Sequence, residues 1–123
     1  MIRKRKKTGK KYAEKRKKKK YEIPGQRTTA KIGSETKRKT KRTLGDNKKI
    51  VLLKSKFINI KMPDKKIKKI VIKNVLETPS NRFFARQNIL TKGTIIETEI
   101  GKAKITNRPT QEGHINGILI EKE

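Results

Sequence analysis

Apolar and polar positions alternate through the C-terminal two thirds of this chain, whereas apolar residues nearly vanish from its first twenty. The clearest alternation runs from Ile95 to Ile105. Ile96, Thr98 and Ile100 fall on one face of an extended segment, and Ile95, Glu97 and Glu99 fall on the other. Gly101 then marks a tight turn, and Ala103 and Ile105 alternate with Lys102 and Lys104 on a return strand. Residues 107–113 contain Pro and Gly and read as a loop, with residues 114–120 as a last apolar strand. Earlier in the chain, residues 28–32 predict a short strand. Residues 36–60 predict a hairpin that turns at Leu44-Gly45-Asp46-Asn47, with residues 49–60 as its second arm. Met62-Pro63-Asp64 ends that arm. Over residues 67–76, Ile67, Ile70, Val71 and Val75 would suit a helix face, but the β-branched content selects a strand. Thr78-Pro79-Ser80-Asn81 is a helix-start signal and predicts a short helix over residues 82–88, on which Arg82 and Arg86 share a face. Thr91-Lys92-Gly93 turns the chain again.

Five or six short strands and one short helix make a mainly β fold, expected to be a small antiparallel β-barrel. Closure removes the exposed edges that so small a sheet would otherwise present. The expected organisation is an extended basic arm over residues 1–25, disordered when free, followed by a single β-barrel domain over residues 26–123 with its helix near 81–88.

Charge sharpens this picture. The 123 residues carry 37 Lys and Arg against 11 Asp and Glu, a formal net charge of +26. Residues 1–49 hold 22 of the basic and 4 of the acidic side chains, whereas the apolar residues concentrate in the remainder. Such a chain repels itself when compact and requires a polyanionic partner. No stretch is long and apolar enough to span a membrane and no signal-peptide core is present, so nothing is expected to span or cross a membrane, and nucleic acid is the expected partner. Cysteine is absent, which rules out disulfides and thiolate metal sites. The arm is dense in Arg3, Lys4, Arg5, Lys6 and Lys7, in Lys10 and Lys11, and in the unbroken run Lys15, Arg16, Lys17, Lys18, Lys19 and Lys20. Its natural role is to neutralise phosphates along an RNA backbone and release their counterions. Extended, twenty residues reach on the order of 65 Å, far enough to thread between RNA helices. Further contacts are expected from Arg27, Lys31, Arg38, Lys39, Lys41, Arg42, Lys92 and Arg108, and from the Arg82/Arg86 face. Lys greatly outnumbers Arg, which favours point-charge contacts to phosphate over bidentate reading of bases. Tyr12 and Tyr21 can stack on unpaired bases, or Tyr21 can pin the arm to the fold. Phe83 and Phe84 are expected to dock the helix on the barrel.

Catalytic readings fail on the same residues. Glu97 and Glu99 are read as cross-strand partners of Lys102 and Lys104 over the Gly101 turn. His114, the one histidine, has no pattern of metal ligands or triad partners around it. Gly9-Lys10 lacks the spacing and the preceding strand of a P-loop. No enzyme, cofactor, metal or small-molecule substrate is expected. A chromatin or DNA-compacting protein shares the charge and is the alternative, but neither a recognition helix nor a wedge-bearing β-ribbon is evident.

One family resemblance covers nearly the whole chain. Arg82-Phe83-Phe84-Ala85-Arg86-Gln87-Asn88-Ile89-Leu90-Thr91-Lys92-Gly93, followed by Ile95-Ile96-Glu97-Thr98 and Gly101-Lys102-Ala103, resembles the signature half of the small-subunit ribosomal protein family eS-eight of archaea and eukaryotes. Thr106-Asn107-Arg108-Pro109-Thr110-Gln111-Glu112-Gly113 is similar to the archaeal version, and Lys17-Lys18-Lys19-Lys20-Tyr21-Glu22 resembles the family's basic run. The sequence departs from that pattern where Ile23-Pro24-Gly25-Gln26 follows the run. The resemblance implies a structural constituent of the cytoplasmic small ribosomal subunit. Its implied partners are small-subunit ribosomal RNA and neighbouring small-subunit ribosomal proteins, bound through a β-barrel and an RNA-penetrating basic extension.

Overall fold

Alternation at Phe57–Lys61 buries Ile58 and Ile60 and leaves Phe57 and Lys61 outside, and it is the first strand of a closed barrel. The computed structural model describes residues 5–10 and 17–120. Within them the strands are β1 (Ala30–Ile32), β2 (Lys37–Arg42), β3 (Lys48–Ser55), β4 (Phe57–Lys61), β5 (Ile67–Glu77), β6 (Ile89–Leu90), β7 (Ile95–Thr98), β8 (Lys102–Ile105) and β9 (Asn116–Leu119). Two short helices, α1 (Arg82–Arg86) and α2 (Pro109–Glu112), lie among them. The barrel runs β4-β5-β7-β8-β9, and a separate four-stranded sheet runs β2-β3-β1-β6.

The expected mainly β barrel with a short helix is there, and three features extend it. First, the closing pair β4–β9 is parallel, with Ile60 opposite Gly117. Four antiparallel steps around a five-strand barrel bring the last strand back in the direction of the first, so this closure cannot be antiparallel. Second, residues 49–60 are not one hairpin arm. The chain leaves the four-stranded sheet after Ser55 and enters the barrel at Phe57. The Ser55 hydroxyl both donates to the Phe57 carbonyl at 3.0 Å and accepts from the Phe57 N–H at 3.2 Å, which pins the corner. Third, the expected loop over residues 107–113 contains α2. Pro109 starts it, where a missing N–H costs nothing, and Gly113 ends it at φ 75, where a side chain would be strained.

The helical spacing within residues 67–76 also has a cause. Ile70, Ile72 and Val75 are buried on one strand, and register shifts between Ile72 and Asn74 and between Val75 and Glu77 move the inward position by one residue. One apolar cluster joins both sheets, taking Ala30, Leu52 and Leu90 from the four-stranded sheet and Ile58, Ile60, Ile96 and Ile105 from the barrel. Asn81 caps α1, its side-chain oxygen accepting the Phe83 N–H at 2.9 Å.

Candidate nucleic-acid interface

β2 reads Lys37-Arg38-Lys39-Thr40-Lys41-Arg42, and none of its residues is buried. A strand with no apolar side chain holds its place only by pairing with β3, which it does along its full length from Lys37 opposite Lys54 to Arg42 opposite Lys48. The turn beyond it is fixed locally. Thr43 N–H donates to the Asn47 carbonyl at 2.7 Å, and Arg42 Nε bonds Asp46 Oδ1 at 3.1 Å. The hairpin end therefore presents Lys41, Arg42, Lys48 and Lys49 to solvent, with Asp46 offsetting one of them.

Register then creates an arrangement that no local pattern contains. Lys37 pairs with Lys54, and Lys54 pairs with Lys31 across the parallel β1–β3 contact. Three exposed lysines thus stand abreast on adjacent strands. Like charges directly opposite one another destabilise a sheet, and a bound polyanion turns that cost into attraction. Lys54 was not among the expected contacts, because only tertiary pairing of β1 with β3 reveals it. Lys61, Lys68, Lys69 and Lys73 on β4 and β5 are exposed cations of the same kind, and Lys69 Nζ lies 4.6 Å from the centre of the Phe57 ring.

A second convergence lies where the four-stranded sheet meets the helices. Arg27, Lys41, Lys92 and Arg108, far apart in the chain, line one cavity of about 660 Å³. Among the described residues, no Asp or Glu lines it. Arg108 is held there by the α2 loop. Asn107 Nδ2 donates to Glu112 Oε2 at 3.0 Å and to the His114 carbonyl at 2.9 Å, while Asn107 Oδ1 accepts the Asn116 N–H at 3.0 Å. The hydrogen bond from Asn107, followed by that from the Arg108 N–H, holds the Glu112 carboxyl below the usual glutamate range.

Of the other expected contacts, Arg5, Lys6, Lys7, Lys10, Lys17, Lys18, Lys19, Lys20, Lys31, Arg38, Lys39 and Arg42 are all exposed. Arg82 and Arg86 are exposed at the two ends of α1. Arg3, Lys4, Lys11, Tyr12, Lys15 and Arg16 lie outside the described residues. Of the two alternatives for Tyr21, stacking on bases or pinning the arm, the second fails, since Tyr21 is 78% exposed in a single 3-10 turn over Lys20–Glu22. One expectation needs correction. Phe83 is 65% exposed, and Phe84 is only half-buried, so α1 does not dock through a phenylalanine core. With five residues in α1, only Ala85 packs against the central cluster. Of the expected carboxylate–lysine pairs, Glu97 stands opposite Lys102, whereas Lys104 stands opposite Ile95. Among the described residues, no group of three or more His, Asp or Glu gathers as metal ligands, and no helix is long and apolar enough to cross a membrane.

The family described as Ribosomal protein S8e matches residues 2–120 of this sequence. The chain is 44% identical over 119 residues to "Small ribosomal subunit protein eS8" of Staphylothermus marinus, covering 96% of this chain and 93% of that protein. It is 47% identical over 115 residues to the protein of the same name from Nanoarchaeum equitans, covering 93% and 90% respectively. A third such protein, from Sulfurisphaera tokodaii, is 44% identical over 119 residues, covering 96% and 93%.

Proposed function

We propose that this chain, which belongs to the ribosomal protein S8e family, binds small-subunit ribosomal RNA through phosphate contacts and so stabilises the folded RNA. It is a ribosomal protein and not an enzyme. Its place is the small ribosomal subunit, in the cytoplasm, beside other small-subunit ribosomal proteins.

The observation that carries the RNA contact is the row Lys37–Lys54–Lys31, in which opposed like charges are retained on three neighbouring strands. A sheet that had to be stable alone gains nothing from that row, whereas one that lies on phosphates does. Each contact is modest, and the sum is large because each displaced counterion adds to the driving force. The arm, residues 1–25, adds its cations to the same purpose and takes its final path against the RNA. The folded part, within residues 26–120, supplies a cationic surface. Lys92 and Arg108 belong to that surface, as do Arg82 and Arg86 on α1.

The test is sedimentation of a cell lysate at low and high salt, following this protein. Co-migration with the small subunit, lost only at high salt, is the expected result. Migration with DNA, or as free protein at low salt, would overturn the reading. In direct binding to small-subunit rRNA, the double variant Arg82→Ala/Arg86→Ala should weaken affinity and flatten the salt dependence. Unchanged affinity and slope would remove α1 from the interface.

A further inference from the structure

The cavity beside α1 is lined mainly by apolar surface, yet it opens between cations. Its floor comes from Ile89 and Leu90 of β6, and its sides from Phe84 of α1 and Pro109 of α2. Both helices are too short to close over it. A volume of about 660 Å³ lies within the range of small-ligand sites and exceeds what one planar base with its sugar needs.

Three features narrow the occupant. Phe84 lines the cavity with an aromatic ring that is only partly buried, so a flat ligand can cover its remaining exposed surface. Arg27, Lys41, Lys92 and Arg108 line the same cavity, with no acid among the described lining residues, which fits a ligand that carries negative charge beside an apolar, planar part. Hydroxyls are also within the lining. Ser80 and Thr91 face each other at 3.4 Å, a long contact that a polar ligand edge can replace. An apolar peptide would use the floor and leave the cations idle. A regular RNA duplex would use the cations and leave the ring uncovered. An unstacked nucleotide uses both.

We propose that this cavity receives one nucleotide extruded from the ribosomal RNA, its base against Phe84 and its flanking phosphates among Arg27, Lys41, Lys92 and Arg108. The proposal rests on the RNA-binding function above and adds a specific site to it. Residues 25–29, where the arm meets the fold, are among the residues that line the cavity, so RNA bound at the end of the arm would lie beside it. Base–aromatic stacking tolerates any base, while the phosphate contacts set position.

The test uses the full chain and a small-subunit rRNA transcript, with binding measured across a salt series and the RNA probed chemically in the complex. Phe84→Ala should weaken binding on the order of tenfold, the size of one lost stacking contact, with the parental salt slope retained. Phe84→Leu, which keeps apolar bulk and the fold, should be nearly as weak, and Phe84→Tyr should bind as the parent does. One nucleotide should be hyper-reactive at its 2′-hydroxyl in the parent complex and lose that signature with Phe84→Ala. Parental affinity for Phe84→Ala or Phe84→Leu, or a loss that also lowers the salt slope, would overturn the pocket while leaving RNA binding intact. Absence of salt-sensitive binding by the parent itself would remove both readings together.

Discussion

Gly117 closes the barrel, and replacing it tests how closely the closure is packed. It stands on β9 opposite Ile105 of β8 on one side and Ile60 of β4 on the other. A Cβ at this position would lie 2.9 Å from the Lys104 carbonyl oxygen and 2.9 Å from Ile58 Cδ1. The isoleucine methyl can rotate away. The carbonyl cannot, because it belongs to the neighbouring strand, so β8 and β9 must separate. Overpacking of this kind costs about 1–3 kcal/mol. At about 2 kcal/mol the melting temperature of a domain this size falls on the order of 10 °C. Gly93→Ala is the control. Gly93 has φ 85 with open space around its would-be Cβ, so an alanine there would be strained in its own backbone without a collision. That variant should lose less, since no neighbouring strand has to move. Thermal melting of the three proteins gives the ranking, and amide exchange gives the location. The Thr106 N–H to Asn116 carbonyl bond at 3.0 Å and the Ile120 N–H to Lys102 carbonyl bond at 2.8 Å flank the β8–β9 pair. Both amides should exchange faster in Gly117→Ala. A Gly117→Ala protein that melts with the parent and protects both amides would refute the argument that backbone, and not side chain, sets the closure distance.

Further outcomes follow from other parts of the molecule. Asn81→Ala removes the cap of α1 and should cost about 1 kcal/mol, read as a lower melting temperature. Lys54→Gln relieves the opposed lysines on β1, β2 and β3. At low salt it should raise the melting temperature of the free protein by a few tenths of a kcal/mol in stability, and the gain should vanish at high salt. The same variant should bind rRNA more weakly, and equal affinity would argue against the row as an RNA contact. Glu112 is an acid whose carboxyl is held below its usual range in the folded protein. Its contribution to the α2 loop is therefore complete above the ordinary glutamate value and is lost as pH falls through the lowered one. Chemical shifts of the Asn107 side-chain amide should report that loss only in acid, and Glu112→Gln should abolish the pH response.

Much of this molecule is legible along the chain, because the forces concerned act locally. Alternation at Ile95–Thr98 and Lys102–Ile105 marks two strands, the Asn81 cap marks a helix start, and the charge alone demands a polyanion. The resemblance carried by residues 81–113 was equally readable, since a motif survives without knowledge of packing. What tertiary structure decided lies wherever distant segments meet. The bulges in β5 gave that strand a helix-like spacing, which its β-branched content had to override, because burial on Ile70, Ile72 and Val75 follows the barrel wall and not a strict alternation. The corner at Ser55 split one apparent hairpin arm between two sheets. Pro109 and Gly113 carried the start and stop of α2 in plain view, but a single turn of helix has no periodicity to mark it. Phe84 reads as core by composition, yet so short a helix leaves it half-buried, among the residues that line the cavity. Lys54 is one lysine among many until the parallel pairing of β1 and β3 stands it between Lys31 and Lys37. Likewise, Arg27, Lys41, Lys92 and Arg108 are far apart in the chain and line one cavity only in the folded protein. Net charge is a sum over residues and needs no fold, whereas a site is a set of distances, which only the closed chain defines.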